Sequence, residues 1–358
     1  MTITGHALIL ISGYILHKTL IQNLPHIEDQ FNHAHHQLTI YFYLPFLILI
    51  GAHIEDVAHT YNNPVSNFSF KGENGSSCPY EYILSVYGRN HFSKFVDTLR
   101  PDLSSQDPSL YGLVLEVMDA IHFGAILVDD VADKSLLRKG KSAAHCIFGP
   151  SETINRAYLR IMEVIGKCTQ ERPSLVPFVL DNLAQIHKGQ DISLVWRRDG
   201  FQACKDRQAA LDIYRNCASL KTGALFRLLG QLLFESHEKD EMMSQVGWFC
   251  HLQNDCKNIY SGDVMTAKGA LAEDLINGEY SYPILVALYG NPETQNTISK
   301  ALGASQEKYQ RATDDWYHKA LVSLQSDEVK GICIQELDRL NDQVSIFAAA
   351  WGRTEKMT

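Results

Sequence analysis

Two clusters of opposite charge lie side by side in the stretch "LVDDVADKSLLRKGKSAAH", residues 127–145. The acidic side chains are those of Asp129, Asp130 and Asp133, and the basic ones are those of Lys134, Arg138, Lys139 and Lys141. Burying an uncompensated charge is costly. The pattern therefore indicates either a solvated helix end or a site whose ligand carries both signs.

The spacing of the carboxylates favours a metal-bound phosphate. Asp129 and Asp133 are four residues apart and share one face of a helix. Two such carboxylates repel each other unless a cation lies between them, and Mg²⁺ usually takes one or two protein carboxylates together with substrate phosphates. Arg138 and Lys139 can neutralise the remaining phosphate charge. Taken alone, however, this short motif is a weak signal that a solvated helix end explains better.

Four more polar segments interrupt apolar stretches further along the chain. They are "KGQDISLVWRR" (188–198), "SLKTGALF" (219–226), "LQNDCKNIY" (252–260) and "AKGALAEDLINGEYSYP" (267–283). Each has a structural explanation when taken separately: Lys221 fits a helix-end cation and Gln190 a surface residue. Their occurrence together and in this order favours a shared site.

The elements that must position these residues are predicted to be helices. Apolar residues recur at three- and four-residue intervals in 113–130, 175–189, 209–234 and 241–260, whereas sustained period-two alternation is missing from the sequence. This pattern predicts an all-α bundle of roughly ten helices.

Composition narrows the class of protein. The chain has 358 residues, of which 45% are hydrophobic and 20% charged, as in globular domains. A net charge of −9 argues against a nucleic-acid partner. The eight cysteines form no CxxC pair, which argues against a zinc site and favours reduced thiols. We therefore expect an intracellular, cytoplasmic protein.

The N-terminal part differs from the rest. Residues 1–70 form an extension of unknown role, and the Asn-, Ser- and Gly-rich stretch 62–79 separates it from a main domain predicted at 71–358. Residues 38–54 contain no Asp, Glu, Lys or Arg, but a membrane helix needs roughly 20 apolar residues. Membrane contact, a core-packed helix and a wrongly included extension all remain open for this segment.

From about Cys78 to Leu288 the chain resembles the trans-isoprenyl diphosphate synthases, and among them the geranylgeranyl diphosphate synthases most. The matching motifs, in family order, are "DDVAD" with "LRKGKSAAHCIFG", "GQ", "KTGALF", "NDCKN" and "KGALAEDLINGEYSYP". The resemblance implies the isoprenoid synthase helical bundle with a central active-site cavity, and usually a homodimer.

The resemblance also implies roles for single residues. Two or three Mg²⁺ ions would be held by Asp129, Asp133, Asn254, Asp255 and Asn258. The allylic diphosphate would be bound by Arg138, Lys221 and Lys268, with Gln190 near the reacting carbon. The reaction would be ionisation of that diphosphate, followed by alkylation of an acceptor. Gly124 and Ala125 are small, which would leave room for a twenty-carbon chain.

The departures from the family cluster around the second substrate. Arg89 stands where a Lys is expected, Phe92 where an Arg is expected, and Lys139 in place of a second Arg, whereas His122 is retained. A site that loses a guanidinium loses a bidentate phosphate clamp, and an aromatic ring offers a surface for a flat molecule.

The second aspartate-rich motif and the segment after Gln190 also depart from the family pattern. Asn254 replaces an Asp of the second motif, and Ser193 replaces another Asp. The branch that combines these features is the fungal indole-diterpene geranylgeranyl transferases, which transfer the geranylgeranyl group from geranylgeranyl diphosphate to indole-3-glycerol phosphate. That branch implies phosphate binding by Arg89, His122 and Lys139 and ring packing against Phe92.

Three other interpretations remain open. An ordinary geranylgeranyl diphosphate synthase is weakened by Phe92, Asn254 and Ser193. A class I terpene cyclase fits Asn254 but not Asn258 or Gly262. A non-catalytic synthase subunit would not need the complete set of donor-site residues.

Overall fold

The computed structural model describes residues 77–262, 271–307 and 315–351. Three predictions lie outside these residues and stay predictions: the extension 1–70 with its domain boundary, the membrane contact of 38–54, and the diphosphate-binding role of Lys268.

The described part is almost entirely helical, as predicted. The helices are α1 Pro79–Tyr87, α2 Ser93–Leu99, α3 Leu103–Gln106, α4 Pro108–Asp133, α5 Ala144–Phe148, α6 Pro150–Glu171, α7 Val176–Asp199, α8 Arg207–Ala218, α9 Ala224–Phe234, α10 Asp240–Tyr260, α11 Glu273–Ile276, α12 Tyr282–Leu288, α13 Pro292–Glu307, α14 Asp315–Leu324 and α15 Asp327–Trp351. A short 3₁₀ turn, Pro173–Leu175, precedes α7. Two two-residue strands, β1 Leu137–Arg138 and β2 Lys141–Ser142, pair antiparallel within the basic cluster.

Helix α4 is the central helix of the bundle and carries the acidic cluster at its end. The Asp107 side chain caps its start by accepting from the Leu110 N–H at 2.9 Å, and Pro108 follows at the first turn. The helix ends where Lys134 adopts a left-handed φ of 55°. It packs against α1, α6 and α9. Among the described helices only α4 is apolar and long enough to span a membrane, but 61% of its most apolar window is buried, as in a core helix.

The segment 209–234, predicted to be helical, is helical throughout but is not one continuous α-helix. The segment forms α8, a π-helical turn at Ser219–Gly223, and then α9. The turn packs between α7 and α10, and the contact with α10 is so close that a Cβ on Gly247 would lie 2.7 Å from Gly223 Cα. Apolar periodicity continues on both sides of a π turn, so the sequence pattern does not reveal it.

The cysteines are unpaired, in agreement with the prediction. All eight are free, and six of them are buried among core side chains: Cys78, Cys168, Cys217, Cys250, Cys256 and Cys333.

Candidate active site

The two predicted metal carboxylates lie on one face of α4, opposite α7. Gln190 Nε2 donates to Asp129 Oδ1 at 3.2 Å. Two turns further along α7, Arg197 Nη1 donates to Asp133 Oδ1 at 2.8 Å. The structure therefore brings Gln190 to the carboxylates, and it adds Arg197, which sequence reasoning missed.

Lys221 faces these carboxylates from the π turn. Its Nζ lies 3.5 Å from Ser193 Oγ on α7. A Cβ on Gly189 would approach Lys221 Cγ to 2.7 Å, so glycine lets the lysine stem lie directly against α7. Burial alone would lower the pKa of Lys221, but the carboxylates of Asp129 and Glu279 raise it above its usual value. Lys221 is therefore held as an ammonium beside the metal carboxylates.

Glu279 is a further carboxylate that sequence reasoning did not select. Arg197 Nη1 lies 3.1 Å from Glu279 Oε1 and so contacts both Asp133 and Glu279. Burial, followed by the charges of Asp274 and Asp129, raises the pKa of Glu279 to about 7. Burial and the neighbouring Asp129 and Glu279 likewise raise the pKa of Asp133 well above its usual value. The site thus concentrates more negative charge than its cations balance.

This excess charge suits a divalent cation. No set of three or more His, Cys, Asp or Glu side chains is arranged to hold a metal among the described residues. Mg²⁺ commonly takes one or two carboxylates and completes its shell with water and substrate phosphates. Asp129 and Asp133 are a donor pair of that kind, and burial followed by the charge of Asp129 raises the pKa of Asp133.

The second motif is organised differently from the prediction. Asn254 is exposed, but Asp255 Oδ2 accepts from the Tyr214 hydroxyl at 2.6 Å and from the Tyr282 N–H, at the start of α12, at 3.0 Å. The backbone oxygen of Asn258 accepts from the Ala272 N–H at 2.8 Å. Asp255 is thus committed to fixing the start of α12, and the structure does not support it as a metal ligand. The side chain of Asn258, whose Oδ1 lies 3.5 Å from the Asp274 N–H, stays a predicted ligand.

Arg138 also occupies a different place from the predicted one. Its Nε donates to Asp130 Oδ1 at 2.9 Å, and Nη2 contacts the same oxygen. Asp130 is fully buried. Burial would lower the pKa of Arg138, but Asp130 raises it. The guanidinium anchors the β-hairpin to α4, and direct binding of the diphosphate by Arg138 has no support in this arrangement.

We expect Arg138→Met to lower the free energy of unfolding by about 3–5 kcal/mol, because it leaves the buried Asp130 without its guanidinium. Urea unfolding followed by circular dichroism measures the change. The double variant Asp130→Leu/Arg138→Met should lose less stability than the single one. A single variant as stable as wild type, with a raised KM for the donor, would favour the direct role instead.

The predicted acceptor residues divide into an outer and an inner set. Arg89 is exposed and pairs with Glu81 at 2.6 Å. Lys139 Nζ lies 3.9 Å from the centre of the Tyr87 ring. His122 lies further in, and burial, followed by the charge of His91, lowers its pKa to about 3. The structure therefore separates Arg89 from the inner residues.

Phe92 does not have the predicted position. None of its surface is exposed, and its ring packs against those of Phe95, Phe226 and His122 in the core. Direct packing against an acceptor ring therefore has no support in the structure. The physical reason is local: the turn before α2 directs Phe92 into the bundle and leaves the preceding His91 partly exposed.

The two residues predicted to set the length of the donor chain have different surroundings. A Cβ on Gly124 would lie 3.0 Å from Ile161 Cδ1, so Gly124 serves the close packing of α4 on α6 and not a tunnel wall. Ala125 is exposed and lies four residues before Asp129, on the face that carries the metal carboxylates.

We expect Ala125→Phe to shift donor preference toward a fifteen-carbon or shorter chain, because the added ring occupies the space beside Asp129. The cost of overpacking a chain binding site is about 1–3 kcal/mol. The ratio of kcat/KM for fifteen- and twenty-carbon donors measures the shift, with Ala125→Ser as the control of similar size. An unchanged ratio in Ala125→Phe would mean that the prenyl chain runs elsewhere.

Taken together, a helical bundle that brings two carboxylates, a glutamine and a lysine together from three elements defines the isoprenoid synthase class of protein. The chain belongs to the polyprenyl synthetase family, whose model matches residues 77–319. It is a prenyltransferase.

Its relatives agree with this assignment. The chain is 44% identical over 327 residues to "Prenyltransferase terC" of Tolypocladium album, covering 87% of this chain and 95% of the relative. It is 47% identical over 282 residues to "Prenyl transferase nodC" of Hypoxylon pulicicidum, covering 78% and 84%. A polyprenyl synthase from Caulobacter crescentus CB15, solved with calcium and isoprenyl diphosphate, shares the fold with a TM-score of 0.60 at 19% identity, covering 76% of this chain and 84% of its own.

Proposed function

We propose that the protein transfers a geranylgeranyl group from geranylgeranyl diphosphate to indole-3-glycerol phosphate in a Mg²⁺-dependent reaction. The observation that carries the proposal is the contrast between the two halves of the site. Asp129, Asp133 and Lys221 converge on the donor side. On the acceptor side, aromatic and imidazole rings lie where an elongating synthase is expected to carry guanidinium groups, and Phe92 is one of them.

The donor residues act on the leaving group. Asp129 and Asp133 would hold Mg²⁺, which supplies charge neutralisation to the departing diphosphate. The Lys221 ammonium donates to diphosphate oxygens, and Gln190 holds Asp129 in place. The carbon–oxygen bond of the donor breaks and the diphosphate leaves, while carbon 3 of the indole, which already carries the glycerol phosphate chain, forms the new carbon–carbon bond. The ring regains aromaticity when the bond between carbon 3 and that chain breaks: the adjacent hydroxyl loses its proton, and the chain leaves as glyceraldehyde 3-phosphate.

The acceptor residues supply less charge than a second diphosphate needs. Lys139 is the cation next to the inner rings, whereas Arg89 is engaged with Glu81 at the surface. A single phosphate monoester needs fewer charge-assisted hydrogen bonds than a diphosphate does. This balance favours indole-3-glycerol phosphate over isopentenyl diphosphate as acceptor.

The test is a product assay on the purified full chain. Geranylgeranyl diphosphate and Mg²⁺ are supplied with indole-3-glycerol phosphate or isopentenyl diphosphate, and farnesyl diphosphate with isopentenyl diphosphate serves as the elongation control. Mass spectrometry should detect the prenylated indole product. Efficient elongation of the farnesyl donor without indole product would establish an ordinary synthase, a cyclic hydrocarbon a cyclase, and donor binding without any product a non-catalytic subunit.

We also propose that the protein is a homodimer. Helix α6 exposes the apolar side chains of Tyr158, Leu159 and Met162, and α7, which contacts α6, exposes Leu180. Large exposed apolar patches commonly mark association surfaces. Family resemblance to dimeric synthases supports a second copy of this chain as the occupant.

We expect Met162→Arg to convert the dimer into a monomer, because it places a charge in the apolar patch of α6. Light scattering after size exclusion measures the mass. Val322→Arg is the matched control, since Val322, on α14, is the most exposed large apolar side chain among the described residues, at 71%. A wild-type monomer, or a Met162→Arg dimer, would rule out this surface.

A further inference from the structure

The loop between α1 and α2 is fixed in position by a buried carboxylate of α4. Asp119 accepts from the backbone N–H of Asn90 at 2.7 Å and from that of His91 at 3.0 Å. Asn90 has a left-handed φ of 58°, a conformation that asparagine adopts more readily than most residues. These two bonds set the direction of the His91 side chain relative to α4, which also carries His122 and the metal carboxylates.

The ring of His91 lies flat on that of His122. Their centroids are 5.2 Å apart and their planes differ by 7°. Phe92 meets both rings edge-on, at interplanar angles of 81° and 88°. Because Phe92 is fully buried, it supports the pair from the core side. The imidazole pair is therefore a stacked plate, and both of its members are partly exposed.

The plate is uncharged and lies beside a cation. Burial lowers the pKa of both imidazoles, and the charge of Lys139 lowers them further. Lys139 also lies over the ring of Tyr87, which meets His91 edge-on at a centroid distance of 5.9 Å. A neutral aromatic face next to an ammonium matches a molecule with a flat ring at one end and a phosphate at the other.

We propose that His91 is a specificity-determining residue whose ring forms the surface on which the aromatic ring of the acceptor packs, while Lys139 binds the acceptor phosphate. The inference rests on the proposed function and names the part of the site that recognises the acceptor. It assigns to His91 the ring contact that the sequence had suggested for Phe92. Phe92 and His122 support the His91 ring from behind.

The test compares His91→Ala with His91→Phe in the full chain. His91→Ala should raise the KM for indole-3-glycerol phosphate about three- to tenfold, the range that an aromatic pair contributes. The KM for geranylgeranyl diphosphate should stay within about twofold of wild type, because His91 lies outside the donor residues. His91→Phe keeps a flat ring and should restore most of the acceptor affinity. His318→Ala, at an exposed histidine of α14, is the matched control.

The possible outcomes distinguish a failure of the role of His91 from a failure of the proposed function. An acceptor KM unchanged in His91→Ala, in a protein that forms the indole product, would overturn the role of His91 and leave the proposed function standing. A His91→Phe variant as weak as His91→Ala would show that an imidazole nitrogen, and not the ring face, makes the contact, and would also overturn it. A wild-type protein that forms no indole product would overturn the proposed function together with this inference. Circular dichroism and the donor KM show whether each variant is folded.

Discussion

Asp133→Ala is expected to lower kcat by about 100-fold or more, the range seen when one preorganised electrostatic contact to a developing charge is removed. Asp133 is contacted by Arg197 and shares a hydrogen bond with Glu279, so its carboxylate is held in place at the end of α4. Asp129→Ala should have a similar effect, because the two carboxylates share the metal. Steady-state rates at saturating Mg²⁺ and donor measure both variants.

A matched carboxylate is available as a control. Asp181 is exposed on α7, the helix opposite the metal pair, and Asp181→Ala should retain wild-type turnover. The metal constant gives a second measurement: Asp133→Ala should need a higher Mg²⁺ concentration for half-maximal rate. Near-normal turnover of either site variant at saturating Mg²⁺ would contradict the assignment of these carboxylates.

Lys221→Met is expected to lower kcat by about 100-fold or more for a different reason. It removes the ammonium that faces Asp129 and Glu279, so both the donor diphosphate and the carboxylates lose their nearby cation. The methionine stem should still fit beside Gly189, because it is no larger than the lysine stem. Pre-steady-state measurement of donor cleavage follows the step directly.

Lys188 provides the matched control for the Lys221 variant. It is an exposed lysine on α7, next to Gly189, and Lys188→Met should leave kcat unchanged. If Lys221→Met cleaved the donor at the wild-type rate, the ammonium would have to act on binding alone, and the KM for the donor would then have to rise.

Helical periodicity was sufficient to predict the class of fold and the placement of Asp129 and Asp133 on one face. It fails at Ser219–Gly223, because a π turn changes the local phase without interrupting the apolar pattern. Arg197 and Glu279 could not be selected from the sequence. Arg197 lies 64 positions from Asp133, and Glu279 lies a further 82 positions along the chain, so only tertiary packing brings the three together.

Roles predicted from the residue type at a single position were wrong where the fold turns that residue away from the site. Phe92 and Gly124 were chosen for the residue type at a family position, but the turn before α2 and the contact with Ile161 decide where these positions point. Asp255 was chosen for its carboxylate oxygens, but one of them already accepts from Tyr214 and from the start of α12. A motif specifies which groups are available, whereas packing specifies which of them remain available to a ligand.

At the π turn Ser219–Gly223, the stability of the bundle and the chemistry of the site favour different local structures. A continuous α-helix through this segment would pair every backbone group four residues apart and would be the simpler connection between α8 and α9. The wider turn instead holds Lys221 against Gly189 and brings Gly223 up to Gly247. Because a π turn amounts to one residue added to an α-helix, the segment has the form of an insertion. Selection for catalysis can therefore retain that residue even where selection for stability alone would remove it.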